Sequence, residues 1–357
     1  MAKPPIVADP QRVFVALAGG GAKGLIHVGA LRALEDRGIA FCGLAGTSAG
    51  AIVAALKASG FSSRELLDPD GGPTLIDKLN EIDPEFRRAT DIFGRIGWAR
   101  ILMFRWAFAN GWIAKFFGIF FGLAIPAGLI IAGTTRSTPI VVGAALLVLA
   151  LVGLGVLGVR FLIGGLANVR RFQSVLGTLL QRKLFPDEPN RIVTMADFGK
   201  DGRPTLNIVS ANLSKRSLQL FSPGRTPKVA VADAVAASIC LPIIFEPWRI
   251  GASTFVDGGI VSNLPAWPFD EQRELDPHAL TIAIEIADTS NTPVVRRFNW
   301  IPSAIRTALF GSGELNLRVS GQAEQLVLES SLNLLQFDLD VEQARQEVRD
   351  GESAARV

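Results

Sequence analysis

Residues Val13–Gly50 read VFVALAGGGAKGLIHVGALRALEDRGIAFCGLAGTSAG, and their order of elements decides the fold. Val13–Ala18 is an apolar run of strand length that ends in a glycine turn, Gly19–Gly24. Leu25, Val28, Leu31 and Leu34 then recur at helical spacing, and Gly38 stands where a helix C-cap belongs. Ile39–Ala45 is a second apolar run; it enters a second glycine turn, GTSAG, and a helix predicted through Ala58. Strand, turn and helix twice over predict parallel strands joined by crossover helices. Working outward, further strands are predicted at Arg191–Ala196, Leu206–Asn212, Ser217–Phe221, Thr254–Val256 and Leu280–Ala287. The class is α/β, with one sheet covered on both faces.

The glycine turns carry chemistry. GTSAG sets Ser48 in a G-x-S-x-G frame between Gly46 and Gly50, at the junction of a strand and a helix. A nucleophile elbow has this form, because small neighbours let a tight turn push one hydroxyl into the open. GGGAKG can offer the bare amides of Gly20 and Gly21 to a developing negative charge, aided by the positive end of the helix that follows. Lys23 in that turn either braces the loop or favours an anionic ligand. GGGAKG also fits the dinucleotide pattern G-x-G-x-x-G. That reading is poor, since the second strand ends in another glycine turn with a serine rather than in a ribose-binding acid. No GK[ST] follows to make a phosphate loop.

Ser48 needs a proton acceptor. Asp257, in the turn VDGG at Val256–Gly259, is placed at a predicted strand end where two glycines permit close backbone approach. The two histidines, His27 one turn into the first helix and His278 in a loop before the last predicted strand, read more simply as structural. The order Ser48, Asp257, His278 nevertheless matches a Ser–Asp–His triad, so a triad esterase stands as an alternative. A non-catalytic membrane protein that binds lipid through a hydrolase-like pocket is a second.

Composition points to lipid. Apolar residues make up 49% and charged residues 19% of 357, with a mean hydropathy of +0.34. From Ile92 to Pro186 there are ten Lys or Arg and no Asp or Glu, inside a formal net charge of +3. A basic, apolar middle suits an anionic lipid surface better than nucleic acid. Phe116–Gly133 and Ile140–Val159 run without charge and are each long enough, as helices, to cross a bilayer. With basic flanks and a short connector, the pair predicts a multi-pass membrane protein whose catalytic part is cytoplasmic. Cys42 and Cys240 sit in core-like segments and read as two buried thiols. Neither the cysteines nor the histidines have metal-ligand spacing.

Taken together, GGGAKG, GTSAG and DGG resemble the patatin-like phospholipases, whose motifs occur in this order and at similar separations. AASICLPIIFEPW (Ala236–Trp248), SNLP (Ser262–Pro265) and the C-terminal stretch FDLDVEQARQEVRDGESAA add to the likeness. The resemblance implies a three-layer α/β/α sandwich with a mostly parallel sheet. It implies a Ser–Asp dyad, with Ser48 as nucleophile and Asp257 as proton acceptor, rather than a triad. It implies an oxyanion loop at Gly19, Gly20 and Gly21, supported by Lys23, Gly24, Gly46, Gly50, Gly258 and Gly259. The implied activity is metal- and cofactor-independent hydrolysis of lipid acyl esters, typically glycerophospholipids. The departure is the hydrophobic segment. The expected organisation is thus 1–112 and 164–357 as two parts of one catalytic domain, with an inserted hairpin at 113–163 (helices about 113–133 and 140–160).

Overall fold

The computed structural model describes residues 11–109, 138–276, 278–288 and 323–356, with isolated positions between them. The chain forms two compact units: 1–92, 169–241 and 247–357 in the first, 93–168 and 242–246 in the second.

The first unit is built on a mixed sheet. Its strands are β1 (Arg12–Leu17), β2 (Ala40–Thr47), β3 (Thr205–Asn212), β4 (Ser217–Phe221), β5 (Trp248–Ile250), β6 (Ser253–Asp257), β7 (Leu280–Asp288) and β8 (Ala323–Ser330). Their order is β5-β6-β3-β2-β1-β7-β8, with β4 also on β3. The pairs β1–β2, β1–β7, β2–β3 and β7–β8 are parallel. The pairs β3–β4, β3–β6 and β5–β6 are antiparallel. The expected mostly parallel α/β sheet is therefore mixed at the β5–β6 end. The central strands are apolar on both faces, as parallel strands under helices must be: Val13–Leu17, Leu44, Ala45, Leu206 and Ile208 are all buried.

Helices α1 (Ile26–Asp36) and α2 (Ala49–Ala58) follow β1 and β2. Gly38 ends α1 at φ 71°, a left-handed position that favours glycine. Then come α3 (Ser63–Leu67) and α4 (Leu75–Ile82), each opened by a reciprocal capping box, Ser62 with Glu65 and Thr74 with Asp77. In the first unit these are joined by α7 (Arg170–Leu184), α8 (Val231–Ile239), α9 (Asp270–Leu275) and α10 (Val341–Arg356). The second unit contains α5 (Gly94–Ala109) and α6 (Thr138–Ile163). Within it Phe93 stacks on Phe245 at 5.1 Å between ring centres, and Ala167 bridges Phe245.

Three expectations change. Arg191–Ala196 is not a strand: Thr194 makes only an isolated bridge to Ala230 before a short 3-10 turn capped by Asp197. Cys42 is half-buried rather than buried, although Cys240 is buried and both are free thiols. The third change concerns the membrane. The run Phe116–Gly133 lies largely outside the described residues, and several side chains within α6 lie outside them as well. Among the described residues no helix is long and apolar enough to cross a membrane. The multi-pass membrane location is corrected accordingly, and the inserted membrane hairpin finds no support among the described residues.

Candidate active site

Ser48 follows β2 directly and opens α2, with φ 53° and ψ −124°. Left-handed φ is costly for a residue with a Cβ and persists only where the surroundings impose it. Here packing imposes it. A Cβ on Gly50 would lie 2.4 Å from the Leu17 carbonyl oxygen, and one on Gly46 would lie 2.3 Å from the Gly50 oxygen. Bare glycines let α2 press against the ends of β1 and β2, and Ser48 takes up the bend. Gly24 lets the first glycine turn rest on Ala49 in the same way. The Ser48 amide donates to Ser238 Oγ at 2.9 Å, and Ser238 Oγ donates to the Val209 carbonyl at 2.6 Å. Ser238, on α8, thus ties the elbow to β3.

Asp257 ends β6 and is buried, 1% exposed. Its amide donates to the Cys240 carbonyl at 2.9 Å. Its Oδ1 accepts from the Gly259 amide at 2.7 Å. Gly258 lets the turn lie on β3, since a Cβ there would meet the Val209 oxygen at 2.2 Å. The Ser48 hydroxyl lies close enough to this carboxylate to favour its charged form. Burial pushes the Asp257 carboxyl up to about 6, against the opposing influence of the Ser48 hydroxyl and the Gly259 amide. A serine hydroxyl joined to a desolvated carboxylate can lose its proton to that carboxylate on attack.

The first glycine turn lies beside this pair. A Cβ on Gly19 would fall 3.1 Å from Ser48 Cβ. Gly19 is itself clamped by Asn263: its amide donates to the Asn263 carbonyl at 3.1 Å, and Asn263 Nδ2 donates to the Gly19 carbonyl at 3.3 Å. Thr47 Oγ1 donates to the neighbouring Ser262 carbonyl at 2.9 Å. The amide of Gly19 is therefore committed to Asn263, which shifts attention to Gly20 and Gly21 as donors. Lys23 is fully buried, so it braces the loop rather than meeting a ligand in solvent.

Neither histidine lies in line with Ser48. His27 is buried, with Nε2 2.8 Å from the Ala18 carbonyl oxygen. Burial lowers its value to about 4 even though that carbonyl favours the charged ring, so the ring is neutral. His278 is exposed and precedes Leu280, which is level with Val13 and hence with Phe41 across three parallel strands. Ser48 lies seven residues further along β2, on the order of 20 Å away at strand rise. The structure brings Ser48, Asp257, the glycine turn and the DGG turn together, and leaves His278 at the other end of the sheet.

Sequence reasoning missed Ser238 and Asn263, whereas His27 is the packed structural residue expected. Asn263 stood within SNLP and Ser238 within the small-residue segment Ala236–Cys240, but only the folded contacts reveal what each one touches. Among the described residues no group of three or more His, Cys, Asp or Glu is arranged to hold a metal ion.

A mixed sheet under helices, with a strained serine at a strand–helix turn and a buried aspartate at the end of a neighbouring strand, places the protein among α/β folds with a nucleophile elbow. The patatin-like phospholipase family model matches residues 15–270, and the chain belongs to that family. An uncharacterized protein of Bacillus subtilis, YqhO, is 27% identical over 274 residues, covering 74% of this chain and 69% of that protein. The lysophospholipase NTE1 of Candida glabrata is 44% identical over 55 residues, which cover 15% of this chain and 3% of that protein. Among solved structures, VipD from Legionella pneumophila is 17% identical with a TM-score of 0.45, covering 97% of this chain and 66% of that one.

Proposed function

We propose that the chain is a serine acyl hydrolase that cleaves fatty-acyl esters of lipids with a Ser48–Asp257 dyad. The convergence of the strained Ser48 and the buried Asp257, whose carboxylate the Ser48 hydroxyl influences, carries this reading. Ser48 Oγ attacks the ester carbonyl carbon as its proton passes to Asp257. The carbonyl electron pair moves onto oxygen, and the Gly20 and Gly21 amides hold that charge. Collapse restores the carbonyl and breaks the bond to the leaving alcohol, which takes the proton from Asp257. Water then attacks the acyl-serine and gives its proton to Asp257; the fatty acid departs and Ser48 is regenerated with that proton. An aspartate held near 6 is ionised at neutral pH and still basic enough to receive a proton in flight.

The lipid supply of this hydrolase is an anionic membrane surface. Along α5, Ile96, Leu102, Met103 and Trp106 are exposed beside the exposed Arg95 and Arg105. Apolar and basic side chains together favour contact with anionic headgroups and the acyl boundary.

A fluorophosphonate probe tests the chemistry. Labelling of the wild-type chain that Ser48→Ala abolishes supports the dyad enzyme. A folded wild-type chain that takes no label supports a lipid-binding scaffold instead. Fatty acids released from a mixed lipid extract by wild type but not Ser48→Ala would establish the substrate class. Sedimentation with phosphatidylglycerol vesicles but not phosphatidylcholine vesicles, weakened by Arg95→Glu with Arg105→Glu, tests the surface.

A further inference from the structure

The match to the family model ends at residue 270, yet the glycine turn is supported from beyond that point. The Ala22 amide donates to the Leu334 carbonyl at 3.0 Å. Gly21, at φ 55°, lies so close to the same carbonyl that a Cβ there would fall 2.2 Å from its oxygen. Two residues earlier, the Leu332 amide donates to Ser330 Oγ at 3.3 Å, and Ser330 Oγ donates to Glu347 Oε2 on α10 at 2.9 Å. Both Ser330 and Glu347 are buried. So is Lys23, two residues past Gly21, whose ammonium group acts electrostatically on the Glu347 carboxylate. A buried carboxylate without partners is costly, and so is a buried ammonium. The α10 helix is itself pressed on α1: a Cβ on Gly351 would fall 2.2 Å from the Ile26 carbonyl oxygen. A continuous path therefore runs from α10 through Ser330 and the 332–334 backbone to the amides beside Ser48.

We propose that Glu347 is a positioning residue of the hydrolase, holding the Gly20 and Gly21 amides toward the oxyanion through Ser330 and the Leu334 carbonyl. The inference rests on the acyl-hydrolase reading above. Neither Glu347 nor Ser330 touches the reacting atoms; they act through the backbone of the loop. Loss of the carboxylate lets the turn relax away from Leu334, and the amides lose their aim while Ser48 and Asp257 stay paired.

The test is the rate of fluorophosphonate labelling of the full-length chain, measured together with the fraction of chains that label. In that reaction Ser48 Oγ bonds to phosphorus, fluoride leaves and Asp257 takes the proton, with the phosphoryl oxygen in the oxyanion site. Glu347→Gln is expected to label to the same final stoichiometry but roughly tenfold more slowly per site, less than the hundredfold or more that losing an oxyanion donor outright costs. Ser330→Ala is expected to slow labelling in the same sense by a smaller factor, and it carries the test should Glu347→Gln fail to fold. With a soluble short-chain ester, kcat falls and KM is unchanged. An unchanged rate per labelled site in a folded variant overturns the proposal. So does a lower stoichiometry at an unchanged rate, because that marks a merely structural role. A wild-type chain that takes no label at Ser48 fails the hydrolase reading itself, a different outcome.

Discussion

Thr47 and Asp257 occupy consecutive places along one edge of β3: Thr47 pairs with Val209, and Asp257 pairs with Ser210. A strand has two edges, and β4 takes the other one across Ile208–Asn212. So β6 must continue on the edge that β2 leaves. The two strands run toward each other and stop end to end, which delivers Ser48 and Asp257 to one point. The meeting of Ser48 and Asp257 is thus a product of strand pairing, with Ser210 Oγ within hydrogen-bonding distance of the Val256 carbonyl to secure the junction.

Activity should show one acid limb. Since Asp257 must be ionised to accept the Ser48 proton, turnover is expected to fall as pH drops through about 6. Asp257→Asn should cut kcat by about a hundredfold to ten-thousandfold, with the acid limb lost. A pH–rate profile on a soluble ester checks both. A limb that persists in Asp257→Asn would mean that some other group titrates.

The same substitution should stabilise the fold at neutral pH. The folded value of Asp257, about 6, lies above the ordinary 3.8, so the folded chain holds the proton more tightly than the unfolded chain. Ionisation therefore opposes folding: the penalty is absent below about pH 4, grows up to about 6 and is constant above. A difference of that size between folded and unfolded chains corresponds to about 3 kcal/mol. Asp257→Asn is expected to recover some of it at pH 7.5 and little at pH 4, measured by urea unfolding. Equal stabilities at pH 7.5 would show that the burial cost is small.

His27 acts in the opposite pH direction. Its folded value of about 4 lies below the ordinary 6.5, so the neutral ring belongs to the fold, and unfolding lets it charge. Its contribution is complete above about 6.5 and is lost as pH falls toward 4. His27→Gln should flatten that acid-side loss while costing about 1–2 kcal/mol at pH 8, where the bond to the Ala18 carbonyl is weakened. Urea midpoints at pH 5 and 8 give the comparison.

At the elbow, Gly50→Ala is expected to be worse than a helix propensity scale suggests. Alanine normally favours helices, yet here its methyl would meet two backbone oxygens, those of Leu17 at 2.4 Å and Ala18 at 2.7 Å. A loss of about 3 kcal/mol or more is expected, with slowed Ser48 labelling. A stable, fully active Gly50→Ala would show that α2 moves freely against β1.

His278→Ala should leave turnover unchanged, because His278 is exposed and stands at the far end of the sheet from Ser48. A collapse of kcat in that variant would restore the triad.

Local pattern makes much of this legible. β1, α1, β2 and α2 follow from runs of apolar residues and from glycines whose spacing suits only turns. β4 has the bounds that its alternation and flanking turns predict. Arg191–Ala196 has the composition of a strand, but Arg191 pairs with Asp197 and the Thr194 amide and hydroxyl donate to the same carboxylate, so local polar bonds compete with the sheet. β5, three residues long, and β8, with several exposed positions, carry too little burial pattern to announce themselves. The membrane expectation rests on hydropathy over a segment of which the described residues cover only part.

Read in one dimension, the chain names its chemical cast: a serine between glycines, an aspartate before two glycines, and a loop of bare amides. Side-chain size and turn preference are properties of neighbouring residues, so they are visible without a fold. Three outcomes are not visible there: that β6 completes the edge β2 abandons, that Asn263 claims Gly19, and that Lys23 is buried near Glu347. Those outcomes depend on the pairing of distant strands and on sharing a low-dielectric interior, and a chain specifies such contacts only by folding.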